Sequence, residues 1–167
     1  MKQIFLSQGM CALVDDEDYE WLSQWSWYIR KGHDTYYAIR KQKRGEYEDL
    51  SQRGIIYMHR VILEYYGKEI ENIGTDHKNG NGLDNQKHNL RIANKQQNNF
   101  NQKSYNNSSS KFKGITWDKE SKRWRANITV SGKYIYLGRF NDEIEAAQAY
   151  NNAALKYQGE FARLNNF

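Results

Sequence analysis

The sequence predicts an α+β fold, because strand and helix patterns occupy separate stretches of the chain. We expect a small α+β module over 1–53, a strand–loop–strand–helix unit over 54–103, and a three-stranded antiparallel sheet packed on one helix over 111–167. A mean hydropathy of −1.01 and 38% hydrophobic residues in 167 indicate several small cores instead of one large core. Aromatic side chains, at 14% of the chain, supply those cores.

The first module is predicted from short apolar runs, with Trp21, Trp25 and Trp27 as its packing residues. Its expected elements are strands at 4–6 and 10–14, a helix at 16–22, and a hairpin made of 25–30 and 36–41. The acidic run at 15–18 suits the start of a helix better than a metal site. With eight basic and nine acidic residues, the module is not the expected main DNA anchor, although basic residues within 30–44 are candidates for backbone contacts.

The segment that begins at Asp76 and His77 carries the most chemical information. The Asn-Gly-Asn-Gly sequence at 79–82 suits left-handed backbone, so the chain is expected to reverse there. Strands are therefore predicted at 73–78 and 89–93, joined by a loop.

A helix is expected to follow, from Asn94 to about residue 102. Asn94 is a suitable N-cap, and Gln97 stands at the spacing of its reciprocal partner. Asn98 lies 22 residues after Asp76 and about one turn inside this helix. Its amide is therefore expected to face the end of the hairpin that holds Asp76.

These residue types suit hydrolysis of a phosphodiester bond with a single divalent metal. That reaction needs an anionic oxygen and a neutral oxygen to bind the cation, and a base to activate water. Asp76 supplies the anionic oxygen, Asn98 the neutral oxygen and His77 the base. The alternative is a surface turn, since Asp-His followed by Asn-Gly is common in turns. The combination with Asn89-Leu90-Arg91 and Asn98 favours a nuclease active site.

Over roughly 57–103 the chain resembles the HNH endonucleases with the ββα-metal fold, particularly the phage homing endonucleases. The matching residues are His59-Arg60-Val61, Asp76-His77, Asn89 and Asn98. The resemblance implies that Asp76 and Asn98 bind Mg²⁺ or Mn²⁺. It also implies that His77 is the general base and that Asn89 braces the loop. The implied products have 5′-phosphate and 3′-hydroxyl ends.

Lesser roles are expected for the cysteine and the other histidines. Many HNH proteins hold a structural zinc with four cysteines, and a chain with Cys11 alone is expected to lack that site. His59 and Arg60 begin an amphipathic helical run. His59 is expected to support the fold, and Arg60 is a candidate phosphate contact. His33 and His88 are not expected to take part in chemistry.

The last block is basic and has strand periodicity. Residues 111–139 contain eight Lys or Arg against Asp118 and Glu120, a charge of +6 within a chain of +5. Strands are predicted at 112–117, 123–130 and 133–140. Alternation in the second strand predicts a packed face and a face open to solvent or ligand. The packed side comprises Trp124, Ala126, Ile128 and Val130, and the open side Arg123, Arg125, Asn127 and Thr129.

A helix is expected to cover the packed face of this sheet. Asn141 is its predicted N-cap, and the helix is expected to continue to about residue 157. The acidic side chains of Asp142, Glu143 and Glu145 suit the positive end of its dipole. The stripe that should pack on the sheet consists of Ala146, Ala149, Tyr150, Ala153 and Tyr157.

This block resembles the Apetala/ethylene-response-factor DNA-binding domain of plant transcription factors. The matching residues include Phe112-Lys113-Gly114-Ile115, Trp124-Arg125-Ala126, Tyr136-Leu137-Gly138-Arg139-Phe140, Glu145-Ala146-Ala147 and Ala162-Arg163-Leu164-Asn165. The resemblance implies that the sheet lies in the DNA major groove. The candidate contacts are Lys113, Arg123, Arg125, Asn127, Thr129, Tyr134, Tyr136 and Arg139. Thr116 and Tyr136 stand where the plant domains usually have Arg and Trp, so the plant target sequence does not transfer. The alternative for this face is a solvated charged surface.

The polar residues at 104–110 are predicted to be a linker. One cysteine excludes a disulfide framework, and no apolar run has the length of a signal or a membrane span. A reducing cytoplasm, of a bacterium or a phage-infected host, is the expected setting. The expected partner is double-stranded DNA, with the protein a monomer or a weak dimer.

Three functions therefore compete. The first is a metal-dependent DNA endonuclease of the homing type. The second is a DNA-binding regulator with a degenerate HNH scaffold, which intact Asp76, His77 and Asn98 disfavour. The third is an RNA-binding protein or ribonuclease, which a major-groove sheet disfavours because A-form RNA hides that groove.

Overall fold

A computed structural model describes residues 1–42, 54–70, 73–103 and 108–167. The α+β class is confirmed, since short helices alternate with four small sheets in the described residues. The chain forms two compact units, Met1–Asn94 and Lys95–Phe167. These units do not follow the predicted boundaries at 53 and 103. Two of the basic residues within 30–44 that were candidates for backbone contacts, Lys43 and Arg44, lie outside the described residues.

In its described residues, the first unit contains three small antiparallel sheets and two α-helices. β1 and β2 form one sheet, β3, β4 and β5 form the next in that order, and β6 pairs with β7. The elements are β1 Lys2–Phe5, β2 Cys11–Val14, α1 Asp16–Ser23, β3 Tyr28–Lys31, β4 Tyr36–Lys41, β5 Ile55–Tyr57, α2 Met58–Tyr65, β6 Thr75–His77 and β7 Leu90–Ile92.

One hydrophobic core runs through this whole unit. Leu22 and Trp27 of the predicted first module are buried in the same cluster as Met58, Ile62 and Leu90. Residues on both sides of the predicted boundary at 53 therefore fold together. The acidic run is confirmed as a helix start, since Asp16, Glu17 and Asp18 form the first turn of α1.

The second unit is a helix, a three-stranded antiparallel sheet and a longer helix. Its elements are α3 Lys95–Phe100, β8 Ile115–Asp118, β9 Arg123–Val130, β10 Lys133–Phe140 and α4 Glu143–Gln158. The sheet order is β10, β9, β8. The predicted bounds of β9 and β10 are confirmed. The packed face of β9 is also confirmed, with Ala126 and Ile128 buried beneath α4.

Two details of α4 differ from the prediction. Its N-cap is Asp142 and not Asn141, because Asp142 Oδ1 accepts hydrogen bonds from the amides of Ile144 at 2.8 Å and Glu145 at 3.0 Å. The packed stripe is also rotated. Tyr157 is exposed, and the buried residues are Ala146, Ala147, Tyr150, Ala153, Ala154 and Gln158.

The predicted linker is partly folded onto the sheet. Residues 104–107 lie outside the described residues, but Ser108, Ser109 and Ser110 make hydrogen bonds within the second unit. Ser110 is buried and donates its hydroxyl to Glu143 Oε1 at 2.6 Å. Across the described ranges, no helix combines the length and the apolar character that a bilayer crossing requires.

Candidate functional site

The hairpin of β6 and β7 positions the predicted catalytic pair. Its strands are three residues long, with Asp76 paired to Arg91 and His77 paired to Leu90. Side chains alternate along a strand, so Asp76 and His77 project to opposite faces of this hairpin. His77 is buried, while Asp76 is partly exposed.

The loop between these strands is ordered by side-chain amides. Asn79 Oδ1 accepts from the Asn81 amide at 2.8 Å, and Asn79 Nδ2 donates to Asp84 Oδ2 at 2.7 Å. The main chain of Asn85 donates to Leu13 O at 2.8 Å, which joins the loop to β2. Asn and Asp side chains commonly satisfy the backbone of turns in this way.

Asn89 makes two of the bonds that close the loop. It is buried, its Oδ1 accepts from the Asn79 amide at 3.0 Å, and its Nδ2 donates to Asp84 O at 2.7 Å. These bonds join the two ends of the loop to its middle. Replacing Asn89 would remove both bonds and leave the buried carbonyl of Asp84 without its partner.

His77 is held by Asn85. The ring atom Nε2 lies 3.2 Å from Asn85 Oδ1, and both side chains are buried. An amide oxygen only accepts hydrogen bonds, so Nε2 carries the proton and Nδ1 carries the lone pair. Burial lowers the pKa of His77 below its ordinary value, and this outweighs the opposing effect of the bond to Asn85. The ring is therefore neutral at pH 7.

Aromatic rings surround His77. The His59 ring lies 4.9 Å from the His77 ring, edge to face, and the Tyr37 ring lies 5.9 Å away. Burial, and secondarily the neighbouring His77, lower the pKa of His59 well below its ordinary value. His59 is thus a neutral packing residue against His77, in line with the expected supporting role.

Arg91 is a site residue that the sequence interpretation did not select. Its Nε and Nη2 donate to Asp76 Oδ2 at 2.9 and 2.6 Å. The Asp76 and Arg91 side chains are 11% and 10% exposed, so the ion pair is shielded from solvent. The predicted hairpin register places these residues opposite each other, and that pairing is the signal that would have identified Arg91.

Arg60 has other partners than the predicted phosphate. Its Nη2 donates to Ile70 O at 3.0 Å, and its Nη1 to Ile73 O at 3.5 Å. The guanidinium thus ties α2 to the segment that leads into β6. This contact supports the fold, and the candidate contact of Arg60 with a phosphate stays a prediction.

Asn98 lies on α3, in the second unit, and its side chain is partly buried. The helix is two residues shorter than predicted. The amides of Asn101 and Gln102 bond to Asn98 O and Asn99 O, at 3.2 and 3.3 Å, which is the tighter i to i−3 pattern that ends a helix.

The donor types fit a hard divalent cation. Asp76 offers carboxylate oxygen, and Asn98 offers amide oxygen, which are the ligands that Mg²⁺ and Mn²⁺ prefer. The described part of the chain has no cluster of three or more His, Cys, Asp or Glu that would suit a metal. Few protein ligands are what Mg²⁺ usually has, since it keeps several positions for water and phosphate oxygens.

The open face of the C-terminal sheet gathers seven of the eight predicted DNA contacts. The register pairs Tyr134 with Thr129, Tyr136 with Asn127, and Arg139 with Arg125, so the paired side chains share a face. Arg123 lies on the same side of β9. Tyr134 and Tyr136 are 58% and 52% exposed.

A bulge keeps Arg139 on this face. The register of β10 shifts between Tyr136 and Gly138, and Gly138 has a φ of +133°. The extra residue changes the alternation, so Tyr136 and Arg139 point to the same side. Arg139 Nε donates to Asp118 Oδ2 at 2.9 Å, which adds an acidic residue that the sequence interpretation did not place here.

Lys113 is the eighth predicted contact, and the structure gives it different partners. Its ammonium donates to Phe100 O at 2.6 Å and Gln102 O at 2.7 Å, with Asn99 O at 3.4 Å. Burial, and secondarily the Arg163 guanidinium, lower the pKa of Lys113 to about 8. Lys113 thus caps α3 in this structure, and its predicted contact with DNA stays a prediction.

Sequence models of two protein families match the chain. The model described as HNH endonuclease matches residues 56–100, and the model described as AP2 domain matches residues 110–160. The first match includes α2, the hairpin and α3, and the second includes the C-terminal sheet and α4.

Three relatives match different extents of the chain. The rice APETALA2-like protein 2 is 48% identical over 59 residues, which are 34% of this chain and 13% of the plant protein. Protein 3.8 of Escherichia phage T7 is 34% identical over 88 residues, which are 53% of this chain and 72% of the phage protein. The protein named Uncharacterized HNH endonuclease L560, of Acanthamoeba polyphaga mimivirus, is 30% identical over 159 residues. These residues are 95% of this chain and 76% of the mimivirus protein, and the chain therefore belongs to the HNH endonuclease family, with an AP2 domain following its HNH segment.

Proposed function

We propose that this protein is a sequence-directed DNA endonuclease of the homing type, which depends on a divalent metal. It would hydrolyse phosphodiester bonds to 5′-phosphate and 3′-hydroxyl ends. The observation that carries the proposal is His77, a buried neutral imidazole held by Asn85, next in the chain to the carboxylate of Asp76. Membership of the HNH endonuclease family supports it.

His77 has the protonation state that a general base needs. The hydrogen bond from Nε2 to Asn85 fixes the ring and leaves Nδ1 with the lone pair that takes a proton from water. Because burial lowers the pKa of His77, the ring is ready to accept that proton at neutral pH. Asn89 and the loop amides keep this end of the hairpin in place.

Asp76 and Asn98 are the proposed ligands of Mg²⁺ or Mn²⁺. When bound, the cation would polarise the scissile phosphate and stabilise the leaving 3′ oxygen. Arg91 fixes the position of the Asp76 carboxylate through two hydrogen bonds. Its positive charge also favours an approaching phosphate. A structural zinc held by four cysteines is not part of the proposal, because the chain has one cysteine.

The open face of the C-terminal sheet would select the target in double-stranded DNA. Arg and Asn side chains there suit base edges in the major groove, and further basic residues suit phosphates. Arg125 Nε and Thr116 Oγ1 are buried on this face with no partner among the described residues, which supports contacts to a ligand. If roughly five to eight phosphates are neutralised, log affinity falls with log salt by about 0.9 for each contact.

One contact favours the alternative of a DNA-binding regulator with a degenerate HNH scaffold. Arg91 occupies Asp76 Oδ2 at 2.6 Å and so competes with a cation for the carboxylate. A protein in which this ion pair persists on DNA would bind its target without cutting it. Direct measurement of cleavage separates these two functions.

The test is incubation of supercoiled plasmid with the purified protein, with and without Mg²⁺. We expect relaxed or linear product that disappears with chelator. His77→Ala should reduce the cleavage rate by about 10²–10⁴-fold, as removal of a general base commonly does. Mapping the ends of a genome-derived library would also report the target, the number of strands cut and the end chemistry.

The matched control is His33→Ala, because the His33 side chain is 90% exposed and lies outside the hairpin. It should cleave at the wild-type rate. His77→Gln keeps a polar side chain of similar length in the buried position, and thermal melting shows whether each variant is folded. Cleavage at the wild-type rate in folded His77→Gln would remove His77 from its role. Binding without cleavage by the wild-type protein would establish the regulator.

A further inference from the structure

Lys113 joins α3 to the C-terminal sheet within the second unit. It lies just before β8, and its ammonium donates to the carbonyls of Phe100 and Gln102, with Asn99 O at the longer distance of 3.4 Å. These carbonyls belong to the end of α3 and the residues that follow it. The contact therefore connects the helix of the HNH segment with the first strand of the AP2 domain.

A cap has a large effect on a helix as short as α3. The helix has six residues, and its last carbonyls have no partners inside it. Isolated helices of this length are unstable in water, so tertiary contacts must stabilise α3. A cation at the carboxyl end satisfies the open carbonyls and interacts favourably with the helix dipole.

The main chain of Lys113 is itself fixed to the sheet domain. Asn165 Oδ1 accepts from the Lys113 amide at 2.7 Å, and Asn165 Nδ2 donates to Lys113 O at 3.1 Å. Asn165 is bonded in turn to Asn151 of α4, through two hydrogen bonds of 2.8 and 2.9 Å. The main chain of Lys113 is thus fixed to the AP2 domain, and its ammonium contacts the end of α3.

The same unit places α3 beside the open face of the sheet. Gln96 and Asn99 of α3 line a cavity of about 670 Å³ together with Thr116, Asn127 and Thr129 of that face. Gln96 Nε2 also donates to Ser131 Oγ at 3.1 Å. The position of α3 is thus set by the sheet that carries the predicted DNA contacts.

We propose that Lys113 is a positioning residue, which fixes the helix that carries Asn98 to the C-terminal sheet. The AP2 domain then takes part in building the metal site as well as in recognising DNA. This inference rests on the proposed role of Asn98 in the metal site.

The test compares three variants of the full chain. Lys113→Met removes the charge and keeps the length, Lys113→Arg keeps a donor, and Lys156→Met is the matched control on exposed α4 surface. In Lys113→Met, hydrogen exchange at the amides of residues 99–102 should be at least about 10-fold faster, as loss of charge-assisted bonds predicts. Lys113→Arg should stay within roughly threefold of wild type because Arg also donates to carbonyls. Lys156→Met should exchange like wild type.

The second measurement is the Mn²⁺ concentration that gives half-maximal plasmid cleavage. Lys113→Met should raise it by roughly 10-fold, a typical effect of losing a residue that orients a metal ligand. Saturating Mn²⁺ should restore most of the rate. DNA affinity measured without metal should remain at the wild-type level.

Two results would overturn the proposal. One is unchanged exchange at 99–102 in a folded Lys113→Met protein. The other is reduced metal-free DNA affinity with a salt dependence lowered by about one phosphate contact, because that would make Lys113 a DNA contact. If the wild-type protein cuts no DNA, the proposed nuclease function fails, while the exchange experiment still decides whether Lys113 anchors α3.

Discussion

The hairpin loop of the first unit and the sheet of the second are stabilised in different ways. The loop between β6 and β7 depends on hydrogen bonds from Asn79, Asn81, Asn85 and Asn89, with little regular backbone pairing. The C-terminal sheet has eight-residue strands and a core of alanine and aromatic side chains. The loop should therefore be sensitive to loss of polar groups, and the sheet to changes in volume.

The largest effect is expected from Gly114→Ala in the sheet unit. A Cβ at Gly114 would lie 2.2 Å from the Tyr150 ring and 2.5 Å from Asn127 O, and the residue has a φ of +77°. Overpacking and a left-handed alanine together should reduce the free energy of unfolding by about 2–5 kcal/mol. Hydrogen exchange at the amides of β9, followed against denaturant concentration, measures this free energy.

Gly132→Ala is the control for that variant. Gly132 has nearly the same φ, +75°, but nothing lies within 4 Å of its Cβ position. It should reduce stability by about 1–2 kcal/mol, from backbone strain alone. Equal losses in the two variants would show that volume is not what the sheet unit is sensitive to.

The second prediction concerns Asn89→Ala in the loop. Its two hydrogen bonds would be lost, and the buried carbonyl of Asp84 would lose its bond from Asn89. Stability of the first unit should fall by roughly 2–4 kcal/mol. Asn81→Ala, at an exposed position of the same loop, should cost less than about 1 kcal/mol. Urea unfolding of both variants gives the comparison, and similar values would contradict the special place of Asn89.

The smallest effect is expected in the pH dependence of cleavage. In the wild-type protein burial lowers the pKa of His77 below its ordinary value of 6.5, so activity should fall only in acid below that pH. Asn85→Asp places a carboxylate 3.2 Å from the ring, which raises the pKa of His77. Because the neutral ring is the proposed base, the acid limb should move to higher pH by roughly one unit or more.

The measurement is kcat/KM against pH at saturating Mg²⁺, with stability followed in parallel. Asn85 Nδ2 has no hydrogen-bond partner in the described part of the chain, so this substitution removes no bond made by that group. If the acid limb of Asn85→Asp lies at the same pH as that of the wild type, protonation of His77 does not control the step that limits cleavage.

The elements that the sequence predicted best are those with a local cause. β9 and β10 follow from strict alternation and a turn at Ser131-Gly132, where both residues have positive φ. The hairpin around Asp76 follows from its Asn-Gly loop. The confirmed helix start at Asp16 follows from charge alone.

The features that were missed depend on contacts between distant residues. The early end of α3 coincides with a cap from Lys113, 13 residues beyond Phe100. Arg91 becomes part of the site only through cross-strand pairing with Asp76. Leu22 and Met58, on either side of the predicted boundary at 53, share one core, which no local pattern reveals.

The HNH family segment does not include all of the residues that form the core of the first unit. The family segment at 56–100 omits Leu22 and Trp27, which pack against its own Met58 and Ile62. It also omits Leu13, whose main chain bonds to the loop between β6 and β7 at Leu83 and Asn85. A fragment cut at residues 56 and 100 would thus leave part of this apolar core uncovered. A fragment made for protein engineering must therefore begin near residue 1.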